Sequence, residues 1–150
     1  MRNRVLLLAA LIVSSGFVFA QEKHEMSPEQ KAYMEYMTPG KMHKHLADGV
    51  GEFKTSTTFW AKPDAKPMVT EGKAAAEMIL GGRYLKTVIT GNMMGMPFEG
   101  MSIDGFDNAA KKFYSVWIDN FGTGIMTAVG TFDEKTNSIN YDVKYVNPMD

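Results

Sequence analysis

From Gly51 to Val146 apolar and polar side chains alternate with a period of two. Turn residues interrupt the alternation about every ten positions, the rhythm of short antiparallel strands in a sandwich or barrel. The pattern predicts strands over 51–60, 68–80, 83–91, 98–106, 111–119, 124–132 and 138–146. The first would place Phe53, Thr55, Thr57 and Phe59 on one face, with Lys54 and Ser56 on the other. The last alternates most cleanly, Ile139, Tyr141, Val143 and Tyr145 against Asn140, Asp142 and Lys144. Gly81-Gly82 predicts a hairpin turn, and Asn92 to Pro97 reads as a methionine-rich loop.

Upstream the period lengthens. Ser27-Pro28-Glu29-Gln30 is a helix start, with Ser27 as cap, Pro28 at the first helical position and Gln30 completing a capping box. Tyr33, Tyr36 and Met37 then share one helical face, and Pro39-Gly40 ends the helix. A second short helix is expected from Met42 to Ala47, closed by Gly49.

About seven strands joined by short loops predict an all-β fold, an antiparallel up-and-down meander preceded by one or two short helices. No long helix is available to cover the apolar face, so the sheet must curl on itself or pack on another. Gly72, Ala74 and Ala76 line one side of the second strand. Such small residues leave room for a ligand, or make room for large neighbours such as Phe53, Phe59 and Trp117.

The first twenty residues predict a secretory leader. Arg2 and Arg4 precede the apolar run from Val5 to Val13, and Val18-Phe19-Ala20 suits cleavage near Ala20. The expected organisation is a leader at 1–20, an N-terminal segment with a short helix at 21–40 and a β-domain at 41–150. The protein is expected to be periplasmic or secreted, with no transmembrane segment after cleavage. Without Arg2 and Arg4 the remainder is mildly acidic, which argues against nucleic acid as a partner. There is no cysteine, so stability rests on packing and strand pairing, and thiol chemistry is excluded.

Several motifs recur in a known order. Pro39-Gly40-x-x-His43 precedes Leu46 and Gly51-x-Phe53. Gly81-Gly82-Arg83-Tyr84-Leu85, Met94-Gly95-Met96-Pro97-Phe98-Glu99-Gly100, Gly105-Phe106-Asp107-Asn108 and Trp117-Ile118-Asp119-Asn120 follow. Over about 39–148 the chain resembles a bacterial domain-of-unknown-function family, number fifteen seventy-nine. That resemblance implies a calycin architecture, the lipocalin-like barrel, and no chemistry. Members of the family usually continue for several strands beyond Asn147-Pro148. The resemblance therefore implies an incomplete barrel here: an open sheet, a sheet completed by another chain, or a shortened gene product. Gly51-x-Phe53 is similar to the lipocalin opening motif, whose aromatic plugs the closed end of the barrel, often under an Arg. Arg83 is the candidate for that place.

Candidate chemistry is sparse. The histidines are His24, His43 and His45, all before the first strand, and no Gly-x-Ser-x-Gly elbow exists. No enzyme, cofactor or metal site is expected. His43-x-His45 with Met34, Met37 and Met42, and the Met93-Met94-x-Met96 loop, suit copper only weakly, because residues two apart on a helix diverge. His43 reads more simply as closing the Pro-Gly turn. By alternation Arg83 joins Leu85, Thr87 and Ile89, while Trp117 joins Phe113, Ser115 and Asp119. If both faces point inward, Arg83 and Asp119 form an interior ion pair, or Arg83 holds an anionic head group beside Trp117. Asp104, Glu99, Asp107 and Asp133 read as turn or surface carboxylates, Asp107 as an Asx turn.

The expected function is binding of a small apolar or amphipathic ligand in a barrel cavity, with Arg83, Trp117, Asp119, Phe53 and Met78 as candidate ligand-binding residues. The alternative is a non-enzymatic interaction domain with a filled core, meeting a partner or a second copy through an open strand edge. A copper site is the weaker alternative.

Overall fold

The computed structural model describes residues 25–60, 62 and 64–146. The leader at 1–20 and Asn147-Pro148 lie outside the described residues. The chain forms α1 (Pro28–Met37), α2 (Lys41–Ala47), β1 (Gly51–Phe59), β2 (Met68–Ile79), β3 (Tyr84–Met93), β4 (Met96–Asp107), β5 (Lys112–Asp119), β6 (Met126–Asp133) and β7 (Ser138–Lys144). The strands pair in chain order in one antiparallel sheet, so β1 and β7 are its two edges. The sheet curls into a half-barrel.

The capping box forms as its residues dictate. Ser27 Oγ accepts the Gln30 amide at 3.2 Å, and Gln30 Oε1 accepts the Ser27 amide at 2.8 Å. At the other end of α1 the orphan carbonyls are taken by the sheet. Asn108 Nδ2 lies within 3.1 Å of the carbonyl oxygens of Glu35, Tyr36 and Thr38. Arg83 donates to the carbonyls of Met37 at 2.7 Å and Leu80 at 3.2 Å. The last turn of α1 has no basic residue of its own, and Arg83 supplies the positive charge that a helix C-terminus favours.

The methionine-rich segment departs from expectation. Strands β3 and β4 continue to Met93 and Met96, which pair directly. The turn is only Met94-Gly95, with φ of 53° and 82°. Two successive positive φ values match the twist of a tight hairpin. The expected loop over Asn92 to Pro97 is strand at both ends instead, because Met93 and Met96 stand as a cross-strand pair. Asn120 holds the entry to β4, accepting the Glu99 amide at 3.0 Å and donating to the Pro97 carbonyl at 3.1 Å. Strand β6 begins at Met126, two residues later than the alternation predicts.

The register defines two faces. One carries Ala74, Ala76 and Phe113, the buried apolar residues of the sheet; this is the inner face. Helix α2 lies at one end of it. Leu46 and His43 are buried there, with His43 edge-on to Phe106 at 6.0 Å and His45 edge-on to Phe132 at 4.8 Å. Phe106 in turn meets Phe113 at 4.8 Å. That aromatic stack closes one end of the half-barrel. The opposite end is open, rimmed by exposed Phe59, Met68 and Met96.

Candidate functional site

Two of the concavities along the sheet bear on function. One, about 420 Å³, lies on the outer face beneath the end of α1, among Tyr36, Met37, Tyr84, Ile103, Tyr114 and Val116. Several of its polar groups are already engaged. Arg83 and Asn108 hold the α1 carbonyls, and His43 Nδ1 accepts the Gly40 amide at 3.0 Å. It is the seam along which the helical segment meets the sheet.

The second, about 210 Å³, lies on the inner face between β4, β5, β6 and β7. Its floor follows from the register. Asp104 stands opposite Ser115, and Ser102 opposite Trp117. Ser115 in turn faces Ala128, which faces Val143. Small side chains sit where large ones must lie flat. A Cβ on Gly100 would collide with the Trp117 ring, and one on Gly130 would come 2.7 Å from the Tyr141 ring. Gly100 and Gly130 thus make room for large neighbours.

Hydrogen bonds hold several of the polar groups in and beside this pocket. Asp104 Oδ2 accepts the Ser102 hydroxyl at 2.8 Å. Trp117 Nε1 donates to Asp119 Oδ2 at 2.7 Å, and Asp119 Oδ1 accepts the Phe121 amide at 2.9 Å. Burial, followed by the charge of Asp104, pushes the Tyr141 hydroxyl up to about 12. Tyr141 therefore stays neutral, able to donate as well as accept a hydrogen bond.

Of the five candidate ligand-binding residues, the structure brings together Trp117 and Asp119. Met78 pairs with Leu85 near the end covered by α2. Phe53 lies on β1, four strands from Trp117, and is 49 % exposed. Arg83 is elsewhere. It sits in the turn before β3 begins, where strand alternation no longer dictates direction, and its guanidinium caps α1. The expected Arg83–Asp119 pair does not form, since Asp119 is engaged by Trp117 and Phe121. Nor does Arg83 cover Phe53 in the lipocalin manner. Asp104 is the residue the sequence reading misplaced. It is a half-buried inner-face group within β4, not a surface carboxylate. The continued alternation Gly100, Ser102, Asp104, Phe106 was the available signal. Asp107 does form its Asx turn, accepting the Ala109 and Ala110 amides at 2.7 and 3.0 Å.

The methionine hairpin separates from the histidines, while Met37 shares a concavity with His43 and Met42 one with His45. His43 and His45 lie at the closed end against Phe106 and Phe132, while Met93 and Met96 form the hairpin at the open end. Strand rise puts these ends roughly 25–30 Å apart. His43 also has its Nδ1 committed to Gly40, as the turn-closing role requires. Among the described residues no three His, Asp or Glu side chains gather as a metal site, and no helix is long and apolar enough to cross a membrane.

Burial holds the His43 imidazole below its ordinary 6.5; a backbone contact with Phe106 opposes this, and the charge of Arg83 adds to it. The folded state thus favours neutral His43. Its contribution to stability is present above pH 6.5 and is lost as acid carries the pH down through the lowered folded value. The urea midpoint of the native protein should fall as the pH is lowered below 6.5. In His43→Gln, which keeps an acceptor for Gly40, that fall should be shallower. Identical slopes in the two proteins would show that His43 is not the titrating group.

Comparison with known proteins gives a family and no site. Residues 38–150 match the model of one family, described as Protein of unknown function (DUF1579). The chain belongs to this family. No curated protein and no solved structure matches the chain. Within the DUF1579 chain the matched span begins at the last turn before α2 and takes in the whole described sheet. The fold and the inner pocket therefore lie within the family domain, while α1 precedes it.

Proposed function

We propose that this DUF1579 protein is an exported, non-enzymatic binder of a small apolar or amphipathic molecule, held on the inner face of the half-barrel. The observation that carries the reading is an apolar inner face left unfilled. Phe53, Phe59, Met68, Met96 and Val143 all lie on it and are 42 to 51 % exposed. A packed interior buries such groups, each worth about 1.5–3 kcal/mol when removed from water. Here only the closed end is packed, and the rest is a wall with a polar pocket set into it. Export rests on the leader pattern of residues 1–20.

The test is fluorescence of N-phenyl-1-naphthylamine, a neutral probe, with the purified protein. Binding should raise and blue-shift its emission, and decanol should displace it. Trp117→Ala should weaken the probe by about tenfold, the scale of one lost aromatic contact. A probe that stays dark, or binds Trp117→Ala as tightly, would remove the inner pocket from consideration.

A further inference from the structure

The two faces of the sheet differ in the signs of charge they carry: the outer face mixes lysines with carboxylates such as Glu52, Glu71 and Glu77, and the inner face has carboxylates alone. The strand lysines Lys54, Lys73, Lys86, Lys112 and Lys144 all fall on the outer face by register. Among the described residues no Lys or Arg of any strand points to the inner face. The charged groups there are Asp104 and Asp119. Nearby cations are directed elsewhere. Arg83 caps α1, Lys41 of α2 pairs with Glu134 at 3.1 Å, and Lys62 and Lys66 are exposed in the β1–β2 loop. Asp104 lines the pocket with Trp117, Tyr141 and Ser115, and Asp119 lies beyond Trp117 along the β4–β5 pair, outside the pocket lining.

We infer that the inner pocket selects a cationic head group, an amine or quaternary ammonium carried on an apolar tail. This inference rests on the reading of the inner face as a ligand site. An ammonium in this pocket meets the Asp104 carboxylate and the faces of Trp117 and Tyr141, which attract cations through the ring quadrupole. A carboxylate head group meets like charge at Asp104 with no guanidinium to offset it. The pocket volume of about 210 Å³ is below the ~300–1,000 Å³ of sites that enclose a drug-sized ligand. It holds the head group, and the tail lies along the exposed apolar wall toward β1.

The experiment is displacement of bound N-phenyl-1-naphthylamine by decyltrimethylammonium, decanoate and decanol, each below its micellar concentration. Decyltrimethylammonium should displace the probe at about one-tenth the concentration that decanoate requires, at low salt. The ratio should shrink as salt is raised, by screening. It should also shrink toward unity in Asp104→Asn and persist in Asp104→Glu. Equal displacement by cation and anion, or a ratio unmoved by both salt and Asp104→Asn, overturns the charge selectivity while decanol displacement upholds the site. Failure of decanol itself to displace the probe overturns the site and the selectivity together.

Discussion

Replacing Phe113 by Ala should cost about 3–5 kcal/mol of unfolding free energy, the range for a large aromatic lost from a core. Phe113 is the one large side chain with no exposure among the described residues. It stands opposite Gly130, lies edge-on to Phe106 at 4.8 Å, and so supports the ring on which His43 and α2 rest. A half-barrel with one packed end has little other core to take up the loss. Domains of this size hold about 5–15 kcal/mol in all. The urea midpoint should therefore drop by on the order of 2 M, given the usual dependence of about 1–3 kcal/mol per molar. Phe59→Ala is the comparison. Phe59 is 51 % exposed at the open end, and its removal should cost under about 1 kcal/mol. Equal losses at Phe113 and Phe59 would mean that the closed end is not the core.

The second large effect concerns Gly100. A methyl group there would collide with Trp117, coming 2.6 Å from ring atom Cη2, and would lie 3.1 Å from Phe98 Cζ. The indole cannot stay where it is. As it tilts, the 2.7 Å bond from Nε1 to Asp119 breaks and the pocket loses its aromatic wall. Gly100→Ala should destabilise by about 1–3 kcal/mol, the cost of overpacking. Trp117 emission should shift to the red, read in a Trp60→Phe background because Trp60 is itself 53 % exposed. Binding of N-phenyl-1-naphthylamine should weaken at least as much as in Trp117→Ala. Unaltered emission and affinity in Gly100→Ala would show that neither Gly100 nor the indole position shapes the site. Both predictions arise from the same division of the inner face, a packed end under α2 and an open wall beyond it.

Local chemistry determined a great deal of this protein. The capping box at Ser27 and Gln30 needs only four neighbouring residues, and it forms where those residues stand. Strand order follows from alternation and short turns, because hairpin neighbours pair with the least loop to close. Face assignment within strands follows from the pleat, so Trp117, Ser115 and Phe113 share a face in the structure as they do in the pattern. The same rule, carried through β4, places Asp104 inside.

What tertiary structure alone decided lies where the pleat stops. Arg83 precedes β3 by one residue, and there its long side chain is free to follow the strongest nearby partner. That partner is the cluster of unpaired carbonyls at the end of α1, far away in sequence at Met37. A helix terminus needs donors, and no local residue of α1 supplies a charged one. The contact directs the one cation that alternation offered to the interior elsewhere and leaves Asp104 and Asp119 as the charges of the inner face. Periodicity determined which side chains face the cup; the docking of a distant helix decided its charge.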